Sequence, residues 1–274
     1  MNEYEKVRMD LLGSKAVQKY QKKNDLIILP VGCVEMHGPN IPLGCDTIHA
    51  WASSIILAKE WKCLVAPPIY YVYPGASGPW PGTVNIMPEI SQEYIKAVVK
   101  ALLKNGFKRV ILYGTHGPLS ALFTVVIRSI FNETEEVVAG LMSDIMQEEL
   151  MEKKLGYGRG EDILVLSSLK VIGHHGAYEP GTKVNLPQEF PFKVIGELKK
   201  FGGSGMVPWI FKADYQHTGL RKGLKLSDAD QGIAVMKLTA KKMKKFPQAF
   251  RAYQKQMEKL MKEKPWLKDK IWSL

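Results

Sequence analysis

Three consecutive pieces decide the fold: LIILPV (Leu26–Val31), GCVEMHGPNIPLG (Gly32–Gly44), and DTIHAWASSIILAKEW (Asp46–Trp61). The first is an unbroken apolar run, as expected of a strand buried on both faces. The second is rich in Gly and Pro and reads as a loop. The third places Ile48, Ala52, Ile55, Ile56 and Ala58 at helical spacing. Strand, loop and helix in that order imply an α/β domain with a mainly parallel sheet.

The same alternation continues outward. Cys63–Ala66 reads as a short strand stopped by Pro67-Pro68, and Tyr70–Met87 as a long irregular segment of Gly, Pro and aromatics, a length that is often functional. Ser91–Asn105 is expected to be a helix capped by Ser91 and closed by Gly106. Arg109–Tyr113 is a further strand, with Gly114–Pro118 turning into a helix through Ile130. Val137–Met142 is the next strand. Beyond Asp144 the pattern is mostly helical to Ile172 and then irregular to about Leu226. A long helix is expected from Ser227 toward Phe246, with Pro247 breaking it before a helical tail. There is no internal repeat, and residues 1–274 read as one domain whose end, about 233–274, is a basic helical extension.

The bulk composition narrows the function. A chain of 274 residues, 46% hydrophobic and 24% charged, is an ordinary globular sequence. No apolar run reaches the ~18 residues that span a bilayer. Met1–Asp10 is polar and carries acids, unlike a secretory signal, so a cytoplasmic protein without a membrane partner is expected. Three cysteines without CxxC spacing read as reduced, buried thiols. The formal charge of +11 raises nucleic acid as a partner. Much of the excess lies in late runs such as Lys241-Lys242-Met243-Lys244-Lys245, the pattern of a solvated helix face, and aromatic–arginine recognition motifs are missing. A small-molecule substrate is the expectation.

The chemistry concentrates in three Gly-bounded turns. Glu35 and His37 are separated by one residue, with Asp46 following at the start of a helix; imidazole with carboxylates is the ligand set of catalytic zinc, manganese or iron. The plain alternative is a solvated Glu35 and a helix-capping Asp46. His116, in Gly114-Thr-His-Gly-Pro118, follows a strand and points toward the sheet's carboxyl edge, where sites form in open α/β sheets; the alternative is a ring satisfied by backbone groups. Gly173-His174-His175-Gly176-Ala-Tyr178-Glu179 adds two histidines and an acid. Four of six histidines falling in such turns favours one shared site over separate accidents.

LPVGCVEMHGPNIPLGCDTIHA resembles the signature of the creatininase family, usually a form of LPxGSxEQHGPHLPLGTD. Trp80-Pro81-Gly82-Thr83 resembles the family's PGT segment, Gly114–Leu119 its NGHGGN turn, and His174–Pro180 its HAGExET segment; Gly219–Gly232 aligns as well. The resemblance implies a three-layer α/β/α sandwich, commonly a homohexamer, with two divalent metal ions (Zn, Mn or Fe). Glu35, Asp46 and His116 would hold one ion, and His37, Asp46 and Glu179 the other, with Asp46 bridging. Glu179 and His174 are the implied catalytic groups, His174 as acid or base or as an orienter of other groups. Ser77, Trp80, His175 and Tyr178 are the substrate-side candidates. The implied activity is hydrolysis of a small polar, cyclic carbonyl compound by metal-activated hydroxide.

Departures bear on the substrate. Creatinine-hydrolysing members carry a Trp-Asp pair where this chain has Lys170 and Val171, and the family's GDP is Lys222-Gly223-Leu224 beside Arg221. Gly114 and Leu119 replace the asparagines of NGHGGN. Lys170, Gln216, His217, Arg221 and Lys222 are candidates for a cationic pocket, with surface charge as the plain alternative. The family includes amidohydrolases of cyclic amides, deformylases, peptide-trimming enzymes and a C–C hydrolase that opens an oxidised inositol such as 3-dehydro-scyllo-inosose. A non-catalytic anion or nucleic-acid binder is the alternative of another class.

Overall fold

The computed structural model describes residues 3–38, 40–143, 160–178 and 224–268, with positions 146, 148, 208 and 210 besides. Four strands lie among these: β1 (Leu26–Val31), β2 (Leu64–Val65), β3 (Arg109–Gly114) and β4 (Ala139–Met142). All pair in parallel, in the order β2-β1-β3-β4. Leu26 lies opposite Arg109 and Val31 opposite Gly114, so β1 and β3 end level. The segments leaving them therefore emerge side by side at the carboxyl edge of the sheet.

Strand alternation feeds two cores. Leu26, Ile28, Ile111 and Tyr113 face α2 (Cys45–Trp61), α5 (Gly160–Ile172), α6 (Ala229–Lys242) and α7 (Phe246–Glu263). Ile27, Leu29, Val31, Val110 and Leu112 face α1 (Ser14–Gln21), α3 (Pro88–Lys104) and α4 (Leu119–Thr134). The result is the expected three-layer α/β/α sandwich, with helices on both faces of a parallel sheet. Truncating a fully buried central side chain such as Ile28 to Ala would cost roughly 2–5 kcal/mol.

Pro30 sits in the central strand, where proline is uncommon because it cannot donate to the ladder. Its carbonyl accepts from Ile69 N at 2.9 Å, so its missing N–H lies on the β2 side. β2 has already ended there, at Val65, just ahead of Pro67-Pro68.

Two helix boundaries differ from the sequence expectation. α3 begins at Pro88 with Met87 as its N-cap residue, and Ser91 lies inside the first turn, donating its hydroxyl back to Met87 O at 3.0 Å. Proline is pre-organised for the first helical turn, and it sets the start. The helix expected from Ser227 toward Phe246 runs as α6 from Ala229 and stops at Lys242, and Pro247, expected to break it, lies in the first turn of α7, the expected helical tail. Both pack into the core through Ile233, Met236, Ala240 and Phe250, while Lys241, Lys242, Lys244 and Lys245 are exposed. Buried Gln254 ties α7 to the sheet, donating to Lys108 O and Val137 O at 2.9 Å each. Among the described residues no helix is long and apolar enough to cross a membrane.

Candidate metal centre

The loop after β1 is fixed to the start of α2 by a close approach. A Cβ on Gly32 would lie 2.4 Å from the Thr47 backbone, so only glycine fits there. Thr47 Oγ1 also donates to Cys33 O at 3.2 Å. The N-cap position of α2 is Gly44 and no side chain caps the helix, so Asp46 in the first turn does not act as a cap. Its carboxylate instead lies between two imidazoles. Oδ1 is 3.3 Å from His37 Nε2, and Oδ2 is 3.0 Å from His116 Nδ1.

Glu35 completes the cluster, with Oε1 2.9 Å from His116 Nδ1 and 3.9 Å from His37 Nε2. Its Oε2 accepts a short hydrogen bond from Ser77 Oγ. Glu35, His37, Asp46 and His116 are all buried, from 3% to 7% exposed. The loop before α3 holds this arrangement in place. Thr83 Oγ1 accepts from Met36 N at 3.0 Å and Val84 N donates to Val34 O at 2.9 Å. That is the structural use of the Pro-Gly-Thr segment.

The outer ring nitrogens are also engaged. His37 Nδ1 lies 3.1 Å from Glu35 O, and His116 Nε2 lies 3.0 Å from Tyr73 O. A carbonyl only accepts, so in a neutral ring the proton sits on those nitrogens and the lone pairs of His37 Nε2 and His116 Nδ1 point at the carboxylates. Imidazoles held in this way are the usual form of metal-ligating histidine. The donor set thus fits divalent ions: hard and borderline ligands, buried, oriented and converging.

The electrostatics agree with a site built for positive charge. Burial alone would lower the His116 pKa, but the Asp46 and Glu35 carboxylates overcome it and raise the ring to about 10. His37 is raised for the same reason against the same burial. Burial would raise Asp46, and the two imidazoles hold it well below the usual carboxylate range. Here bound protons supply the positive charge that a metal ion would otherwise bring.

Cys33 enters the cluster without having been expected there. Its Sγ donates to Asp46 Oδ2 at 3.2 Å, and Cys33, Glu35, Asp46 and His116 each offer a ligand atom within 4.8 Å of the others. The signal was its place two residues before Glu35, where the family pattern has Ser. Ser77, expected against the substrate, is buried and engaged with Glu35. Trp80 is half-buried in the same loop.

The third histidine turn is built differently. α5 ends in Gly173 at φ +88°, and His174 N donates back to Leu169 O at 2.7 Å, which closes the helix. His174 and His175 are exposed and make no side-chain bond to the cluster among the described residues. Tyr178 is buried in the core on the α2 side of the sheet. Glu179, the remaining candidate ligand, lies outside the described residues, as do Gln216, His217, Arg221 and Lys222. Lys170 pairs with Asp230 at 2.9 Å on the surface, and Val171 is core. Leu119 packs where a Cβ on Gly114 would lie 2.7 Å from it, so the two departures from NGHGGN form one packed pair.

A sequence profile of the creatininase family, described as creatinine amidohydrolase, matches residues 10–176. The chain belongs to the creatininase family. Within it, 112 residues are 38% identical to 3-dehydro-scyllo-inosose hydrolase of Thermotoga maritima, covering 40% of this chain and 36% of that protein. Mycofactocin precursor peptide peptidase of Mycolicibacterium smegmatis is 32% identical over 81 residues, 27% of this chain and 33% of that protein. The chain's matches thus span about a third of these curated relatives. A crystal structure of creatinine amidohydrolase superposes with a TM-score of 0.63 at 18% identity, over 86% of this chain and 96% of that one. A second structure, Creatininase Mn, superposes with a TM-score of 0.63 at 17% identity, over 87% of this chain and 98% of that one. At these identities the superpositions speak for the fold.

Proposed function

We propose that this chain is a divalent-metal-dependent hydrolase that opens a small polar, cyclic carbonyl compound. The observation that carries the reading is the Asp46 carboxylate, buried between His37 and His116 with one oxygen facing each ring. A carboxylate in that position is arranged to bridge two ions, Glu35 and His116 serving one and His37 the other, with Glu179 as the further ligand. Bound there, divalent ions would supply a water of pKa near ~7 and polarise a carbonyl oxygen.

The chain's own groups do the rest. Ser77 orients Glu35 by donating to Oε2, and the Tyr73 and Glu35 carbonyls fix the two rings. His174 is the proposed proton donor to the leaving atom. Creatinine is disfavoured as substrate, because Val171 is core and Lys170 is paired on the surface where creatinine hydrolases place Trp and Asp. The match to 3-dehydro-scyllo-inosose hydrolase supports an oxidised, hydroxylated ring and C–C rather than C–N cleavage.

The test compares kcat/KM for creatinine, a small lactam and a cyclic diketo-polyol, with Mn²⁺ or Zn²⁺ added and after chelation. The expected result is metal-dependent turnover that favours the diketo-polyol. Efficient creatinine turnover would restore a creatininase proper, and activity that survives chelation would remove the metal from the reading.

A further inference from the structure

We propose that Cys33 is itself a metal ligand, through its sulfur, to the ion held by Glu35, Asp46 and His116, and that it biases this position toward zinc over manganese. The inference rests on the metal reading above and extends it to a residue type that the expected ligand set does not contain.

Four ligand atoms lie within 4.8 Å of one another: Cys33 Sγ and one atom each from Glu35, Asp46 and His116. A tetrahedral zinc ion with bonds of about 2.0–2.3 Å spaces its ligand atoms roughly 3.3–3.6 Å apart. In the structure Sγ lies 3.2 Å from Asp46 Oδ2, and His116 Nδ1 lies 3.0 Å from Asp46 Oδ2 and 2.9 Å from Glu35 Oε1. These three pairs would open by less than about 1 Å to reach tetrahedral dimensions, and every other pair lies within 4.8 Å.

The sulfur is also aimed. A buried free cysteine ordinarily behaves as a small apolar side chain. Cys33 is fully buried, yet its sulfur touches a carboxylate oxygen, and its carbonyl is pinned by Thr47 Oγ1. Cys63 is equally buried and free but stands outside the cluster, which makes it the internal control.

The thiol serves one ion only. Cys33 shares Asp46 Oδ2 with His116, whereas His37 faces Oδ1. Among the described residues, one position therefore offers sulfur, nitrogen and oxygen, and the other nitrogen and oxygen. Thiolate is a soft ligand that favours zinc, while carboxylate and imidazole also suit manganese. On binding, the thiol proton leaves to solvent and the sulfur bonds the metal in its place.

Cobalt(II) substituted into the full-length metal-free protein reads this directly. The expected spectrum carries visible d–d bands and a near-ultraviolet sulfur-to-cobalt charge-transfer band. Cys33→Ser should keep the d–d bands and lose the charge-transfer band, and Cys63→Ser should keep both. The zinc-over-manganese preference of Cys33→Ser should fall by roughly 10–100-fold, at least what loss of an outer partner costs. Native protein with d–d bands and no charge-transfer band overturns the proposal without recourse to any variant. A charge-transfer band that survives in Cys33→Ser overturns it too. Cobalt that leaves no d–d absorption at all sinks the metal reading itself, and the thiolate with it.

Discussion

Gly32–Asp46 and Gly173–Tyr178 both set histidines among glycines, and they are built in opposite ways. In the first, Glu35, His37 and Asp46 are buried and meet at the cluster, and Glu35 and His37 are each held by a further group, Ser77 Oγ and a backbone carbonyl. In the second, both histidines are exposed, on a turn that follows the end of a helix. The first region is pre-organised to hold a cation before one arrives. The second offers imidazoles whose use depends on what approaches them.

The most damaging change to this contrast is Asp46→Asn. An amide cannot carry charge to both rings, so metal content should fall to near zero and turnover with it, as measured by elemental analysis of purified protein. Full retention of metal would end the bridging assignment. Next in size is the pair His116→Ala and His174→Ala. The first removes a buried nitrogen and should lower metal occupancy. The second should leave occupancy unchanged, and its loss of turnover, up to roughly 10²–10⁴-fold for a general acid, measures how far that imidazole reaches. Equal metal loss in both would erase the distinction between the two regions.

Acid sensitivity should belong to the buried region as well. His49 lies one turn beyond Asp46 on α2, and its Nε2 has no partner among the described residues. Burial lowers its pKa to about 4, against some relief from Asp46. Between about 4 and the ordinary ~6.5 the unfolded chain takes up a proton that the folded one refuses. The stability due to neutral His49 is complete above that window and lost as pH falls through it, up to about 3 kcal/mol. Denaturant unfolding at pH 7 and pH 4.5 should show a smaller drop for His49→Leu than for native protein; equal drops would place the sensitivity elsewhere. The smallest expected effect is Ser77→Ala, which frees Glu35 Oε2 and should weaken metal affinity by roughly 10–100-fold. Calorimetric titration that finds no change would make Ser77 a spectator.

The order of elements and most of the cluster were legible in the sequence because their signals are local. An unbroken apolar run announces β1, and ligand-type residues between glycines announce Glu35, His37, Asp46 and His116. The sequence does not announce that Cys33 and Ser77 adjoin the cluster, because what places them there is contact across the chain. Ser77 meets Glu35 only because the segment before α3 folds back on the β1 loop through Thr83 and Val84. His49 shares its helical pattern with ordinary core residues, and periodicity does not say which buried side chain lacks a partner. The start of α3 was misread because Ser91 and Pro88 both signal helix beginnings, and the proline prevailed.

The ligand atoms of the cluster come from three separate segments: the end of β1, the start of α2 and the turn after β3. An unfolded chain keeps none of that convergence, so an ion bound there favours the native state alone. Each tenfold rise in free ion above its dissociation constant then adds about 1.4 kcal/mol to native stability. The lifetime of this protein against proteolysis would then track metal supply, and copies made during scarcity would be the first to be cleared.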